Sequence, residues 1–163
     1  GAASADPLTR TAAALASLPD RAAPKLFSKG LKATHRYRVP GAREEAQQAF
    51  PHVMKLALPQ LLISRAVGAS ESEARLDALM AIMTSLSDTC VLSRAGMAGL
   101  TAMQHGAQAV LLAGGCRTAG GKLALAQLDR RMLALNASPG GAADLLAATL
   151  FIDRVCSPEH TYF

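Results

Sequence analysis

Apolar residues recur three or four positions apart along most of the chain, the spacing of helices that bury one face. Leu125, Leu128, Met132 and Leu135 make one such stripe over Lys122 to Leu135. Leu145, Leu146, Thr149 and Leu150 make another, in a helix beginning near Ala142 and running to about Val155. Leu76, Leu79, Met80, Met83 and Leu86 share a face, as do Leu100, Met103, Ala107, Val110 and Leu111. No segment alternates with a period of two, so no strand is predicted. The pattern predicts an all-α fold: a single helical, bundle-like domain.

Polar and turn-forming residues punctuate these stripes. Leu8 to Leu18 reads as a short helix closed by Pro19, so residues 1–20 form a first helical piece. Residues 21–41 read as a basic loop, 42–155 as the helical core and 156–163 as a tail. A helix is predicted from about Ala42, interrupted or restarted at Pro51. Pro59 makes Val53 to Val67 either a kinked helix or two short ones, ended by Gly68. Ser70 and Glu73 have the spacing of a capping box. Ser87-Asp88-Thr89 breaks or bends the chain, Gly96 and Gly99 loosen the next start, and Gly114-Gly115 closes that helix.

Composition narrows the class. The 163 residues suffice for one domain with a core. The chain is 50% hydrophobic but 4% aromatic, with no Trp, which suits closely packed Ala/Leu helices better than a β-sandwich. The six methionines read as core filler. No apolar run nears the ~20 residues of a membrane span. Three widely spaced cysteines, Cys90, Cys116 and Cys156, fit reduced thiols in a cytoplasmic protein. The net charge of +5 is concentrated from Arg21 to Arg43, which holds seven basic residues and no acidic one. That segment is a solvated loop or an attractor of a polyanion such as a triphosphate. Nucleic acid is disfavoured, because only Phe27 and Tyr37 interleave with the charges. The four histidines form no His-x-x-x-His pair and the cysteines no Cys-x-x-Cys pair, which argues against zinc. His105 reads as a hydrogen-bonded structural residue.

One stretch carries more chemistry than the rest. Asn136 is a helix stop that tolerates the left-handed conformation, and Ser138-Pro139-Gly140-Gly141 is a turn opening the last helix. A glycine pair there would let an anion approach backbone N–H groups at the positive end of the helix dipole. Asp144, expected in the first turn, either supports those N–H groups or holds Mg²⁺ beside a phosphate. On chemistry alone the supporting reading is the stronger. Asp88 lies where two helices meet and could cap, pair with Arg94 or bind metal. Arg43 and Glu45 follow the basic segment, and a guanidinium grips phosphate through a planar fork.

Three ordered stretches resemble the triphosphoribosyl-dephospho-CoA synthase family. They are Ser138 to Phe151; Gly41-Ala42-Arg43-Glu44-Glu45-Ala46 with Phe50-Pro51; and Asp88-Thr89-Cys90-Val91-Leu92-Ser93-Arg94-Ala95-Gly96. The likeness covers about Thr34 to Val155. It departs from the family pattern at Glu44 and Ala49, where glycines are usual.

The resemblance implies an enzyme that joins the triphosphoribosyl group of ATP to 3'-dephospho-CoA and releases adenine. The product is the prosthetic-group precursor of malonate decarboxylase or citrate lyase. Such a glycosyl-type transfer passes through an oxocarbenium-like state. On this reading Glu45, Asp88 and Asp144 are the catalytic carboxylates. Arg36, Arg43, Arg94, Ser138, Gly140 and Gly141 bind phosphate, and Asp88 and Asp144 hold Mg²⁺. The resemblance also implies that the chain is the C-terminal part of a larger all-helical enzyme, with a missing N-terminal segment as partner. It leaves room for a homo-oligomer. The rival reading is a non-catalytic helical module that binds or assembles with an acidic or nucleotide-bearing partner.

Overall fold

A computed structural model describes residues 9–10, 45–46, 48 and 50–157. The expected helix at Leu8 to Leu18, the basic segment and the tail beyond residue 157 lie outside the described residues, apart from Thr9 and Arg10, which are helical. Residues 50–157 are mostly helical and, among the described residues, there is no strand. A π-helical segment, His52–Ala57, runs directly into α1, Leu58–Ala66. There follow α2, Glu71–Met83; α3, Thr89–Leu112; α4, Ala119–Ala134; and α5, Gly140–Cys156.

The junction at Pro59 resolves the choice left by the sequence. Pro lacks an N–H, and its ring collides with the carbonyl four residues back in an ordinary helix. The wider π turn relieves this: the Leu58 N–H reaches back five residues to the Val53 carbonyl. The chain therefore passes Pro59 without breaking.

α2 is central. It packs against the π segment, α1, α3 and α5, while α3 and α4 form an antiparallel pair. Its burial is accordingly wider than one stripe. Ala74, Ala78 and Ala81 are buried with Met80, Ile82 and Met83, whereas Leu76 and Leu79 are only partly covered. Small side chains let several helices approach one helix. Gly106 does the same on α3, where an added Cβ would stand 2.5 Å from Leu128 Cδ1. Met80, Met83, Met103 and Met132 fill the core as expected, but Met97 is exposed.

The helix ends follow local chemistry. Ser70 and Glu73 form the full capping box, with Ser70 Oγ accepting from Glu73 N and Glu73 Oε1 accepting from Ser70 N. Asn136 adopts φ 50°, and Ala137 N donates back to Met132 O, which closes α4. α3 is interrupted at Gly96, whose φ of 66° and ψ of −164° belong to no helix. Between α1 and α5, Arg65 forks onto Asp153 with two 3.0 Å bonds and onto Glu71 at 2.9 and 2.7 Å. Asp153 is 6% exposed, so the ion pair is mostly covered.

Candidate active site

Asp88 is the N-cap of α3, and it also serves α5. Its Oδ1 accepts from Cys90 N at 2.9 Å and Val91 N at 3.3 Å, while Oδ2 accepts from Ala142 N at 2.9 Å. The carboxylate is 1% exposed. α5 needs this help because its own N-cap, Pro139, offers no side-chain acceptor. Helix N-termini favour negative charge, and here two of them share one carboxylate. A pairing of Asp88 with Arg94 does not occur.

The glycine pair makes close contacts inside the protein. Three N–H groups of the first turn of α5 have a partner inside the protein. Gly140 N donates to Ser138 O, Ala143 N to Pro139 O and Ala142 N to Asp88. The Gly141 N–H is directed at the Cys90 thiol. A Cβ on Gly141 would lie 3.2 Å from the Asp88 carboxyl, and one on Gly140 would lie 3.0 Å from Cys90 Sγ. The absent side chains let Asp88 and Cys90 approach the helix start. The Cys90 thiol is pushed up by burial and by the charge of Asp88, against the Gly141 bond.

Arg94, Ser93 and Cys90 of α3, with Leu133 of α4 and Asn136, Ala137 and Ser138 of the α4–α5 connection, line a cavity of about 490 Å³. Arg94 is exposed and makes no ion pair among the described residues. Asp88 and the glycine pair form the wall behind this cavity, not its lining. Asp144 falls in the second turn, because α5 begins at Gly140 and not near Ala142. It is exposed, and its charge acts on Cys90. Of the predicted residues, Arg94 and Ser138 thus share a cavity, with Asp88, Gly140 and Gly141 beneath it. Arg36 and Arg43 lie outside the described residues, as do Glu44 and Ala49.

Glu45 lies apart from that cavity. It is buried and is spent on His52: Oε1 accepts from His52 N at 2.7 Å, and the carboxylate oxygens lie 3.1 and 3.0 Å from Nδ1. His52 Nε2 is 3.2 Å from Ser85 Oγ. Sequence reasoning missed His52, which lies seven residues from Glu45 and pairs with it only through an irregular turn. His105, expected to be bonded into the structure, is exposed instead.

Asp77 is a second buried carboxylate that no motif marked. It accepts from Ser64 Oγ and Cys116 N, both at 2.8 Å, and ties α2 to α1 and to the α3–α4 turn. Among the described residues no group of three or more His, Cys, Asp or Glu is placed to hold a metal ion. None of the helices is long and apolar enough to cross a membrane, again among the described residues.

A family model described as ATP:dephospho-CoA triphosphoribosyl transferase matches residues 2–161. The chain is 76% identical over 144 residues to a Klebsiella pneumoniae protein named 2-(5''-triphosphoribosyl)-3'-dephosphocoenzyme-A synthase, covering 88% of this chain and 51% of that protein. Proteins with the same name, marked probable, show similar coverage. One from Stutzerimonas stutzeri strain A1501 is 60% identical over 154 residues, 94% of this chain and 53% of the relative. One from Pseudomonas fluorescens strain Pf0-1 is 59% identical over 152 residues, 93% and 52%. The chain therefore spans about half the length of the curated relatives it matches. No solved structure matches it.

Proposed function

The chain belongs to the ATP:dephospho-CoA triphosphoribosyl transferase family, and from that premise we propose that it is part of an enzyme joining the triphosphoribosyl group of ATP to 3'-dephospho-CoA with release of adenine. The observation that carries this reading beyond membership is the cavity at Arg94. A guanidinium with no ion-pair partner among the described residues stands beside the hydroxyls of Ser93 and Ser138 and the amide of Asn136. That is a donor-rich wall, and it suits phosphate oxygens. The basic segment from Arg21 to Arg43, with Arg36 and Arg43, would add attraction for the same polyanion.

In the reaction a ribose hydroxyl of dephospho-CoA replaces adenine at the anomeric carbon of ATP, and the triphosphate stays attached. Arg94 would hold the triphosphate while the buried Asp88 fixes the two helix starts that form the cavity wall. Mg²⁺, when bound, supplies charge neutralisation for the phosphates. Of the expected ligands, Asp144 would be the one to contribute, since its carboxylate is exposed and makes no hydrogen bond among the described residues. Asp88 fits poorly, since both its oxygens are taken by backbone donors. The prosthetic group of malonate decarboxylase or citrate lyase is the expected destination of the product, and the cytoplasm the expected compartment.

The test is adenine release. Incubated with ATP and 3'-dephospho-CoA, the full-length protein should liberate adenine and form one coupled product per turnover. Arg94→Ala should weaken ATP binding by roughly thirtyfold, the loss of about 2 kcal/mol expected for a charged hydrogen bond. A full-length protein that binds both nucleotides but releases no adenine would leave the non-catalytic binding module as the correct reading.

A further inference from the structure

Glu45, His52 and Ser85 form a connected series that the reaction scheme above does not use. An ionised carboxylate only accepts hydrogen bonds, so the Glu45 contacts at 3.1 and 3.0 Å place the proton of the neutral ring on Nδ1. Nε2 then carries the lone pair, and the Ser85 hydroxyl donates to it at 3.2 Å. Glu45 is 6% exposed, whereas Ser85 is exposed. The basic nitrogen therefore faces outward from a buried anionic support. Glu45 is the charged side chain that contacts the ring; Lys55, in the same segment, is exposed.

The backbone beneath this series is strained. Phe50 has φ 56°, a left-handed conformation that is rare for a bulky residue. Its N–H donates to Glu45 O at 2.9 Å, and its carbonyl accepts from Met54 N at 2.9 Å. That turn folds the chain back so that Glu45 meets His52. Conformations of this kind cluster at functional sites. Ser85 opens the α2–α3 connection, which ends in Asp88; the cavity lining resumes at Cys90. Five residues span at most about 18 Å, so the series and the Arg94 cavity lie within reach of one extended substrate.

We propose that His52 is the general base of the transfer, taking the proton of the attacking ribose hydroxyl, with Glu45 as its positioning residue. This rests on the transferase reading given above. The acceptor hydroxyl takes the place of Ser85 at Nε2. As its oxygen bonds to the anomeric carbon, its proton passes to Nε2 and the carbon–nitrogen bond to adenine breaks. The electron pair leaves with adenine, which takes up one proton, and His52 returns its proton to solvent. No oxidant or further reactant is needed. Glu45 holds the ring and stabilises the imidazolium that forms.

The experiment is adenine release by the full-length protein and its variants as a function of pH. His52→Gln should lower kcat by roughly 100-fold or more, the usual range for a lost general base. KM for ATP should stay within threefold, and the pH profile of kcat should change. Added imidazole should restore part of the activity of His52→Ala. A folded His52→Gln with kcat within threefold of wild type and an unchanged pH profile overturns the proposal while leaving the transferase reading intact. A wild-type protein that releases no adenine overturns both. If His52→Gln does not fold, Glu45→Gln decides. A tenfold or larger fall in kcat with the pH profile displaced supports the assignment, and an unchanged profile overturns it.

Discussion

Replacing Asp88 by alanine tests the shared cap in isolation from any catalytic role. The substitution removes the acceptor for Cys90 N, Val91 N and Ala142 N at once. Loss of an N-cap side chain costs about 0.5–2 kcal/mol. The bond to Ala142 is a separate contribution, because that residue is fully buried and no water replaces the acceptor. An orphaned buried N–H adds about 1–3 kcal/mol. Together the loss should be about 2–5 kcal/mol, a large part of the roughly 5–15 kcal/mol that holds a domain folded. In urea denaturation, with m near 2 kcal/mol/M, the midpoint should fall by roughly 1–2.5 M while m stays constant. Asp88→Asn retains one carbonyl oxygen but turns an amide toward one set of donors and gives up the charge. It should cost about half as much. An Asp88→Ala midpoint within about 0.5 M of wild type, close to 1 kcal/mol, would refute the shared-cap reasoning. An Asp88→Asn protein of wild-type stability that binds no ATP would return Asp88 to the metal-binding role first expected of it.

Two further predictions concern titration. The hydrogen bond from Arg65 holds the Glu71 carboxyl down to about 2, against an ordinary value of 4.5. Glu71 therefore contributes stability that is present above about pH 4.5 and is lost as pH falls toward 2. Glu71→Gln should lower stability at neutral pH, leave it little changed near pH 2 and so flatten the slope between them; an undiminished acid slope would contradict the pairing. Burial, then the hydrogen bond to Asp77, pushes the Cys116 thiol up to about 12. In a thiol-reagent time course at pH 8, Cys116 should stay unmodified until the protein unfolds, and its labelling alongside Cys90 in the native state would show that the site opens.

The features legible in the sequence were those set by neighbours in the chain. The Ser70–Glu73 box, the Asn136 stop and the break at Asp88 all depend on residues within a few positions, and all occur as expected. Misread features depend on distant ones. The start of α5 lies two residues earlier than its apolar stripe implies, because its cap arrives from Asp88 across the core. The burial of Ala74 and Ala78 follows from α2 having neighbours on several sides, which no single stripe reveals. The Glu45–His52 pair depends on a left-handed Phe50, a conformation the residue type argues against. Among the expected site residues, Arg94 and Ser138 come to line one cavity, and donors of that kind are what a phosphate would need. For Gly140 and Gly141 the sequence leaves two readings open, since a glycine that admits a ligand and one that admits a neighbouring carboxylate look alike in it.

The break at Gly96 has a mechanical consequence. A continuous helix transmits rotation: one residue gained or lost in it turns everything beyond by about 100°, since 3.6 residues make a turn. Gly96 interrupts that transmission. The turns before it carry Cys90, Ser93 and Arg94 and are pinned by Asp88, while those after it carry Leu100, Met103, Ala107 and Val110 into the core. Over- or underwinding in the packed half is absorbed at the swivel and does not swing Arg94 off its cavity. The long helix thus acts as two separately indexed parts, free to adjust its packing against α4 without redirecting the guanidinium.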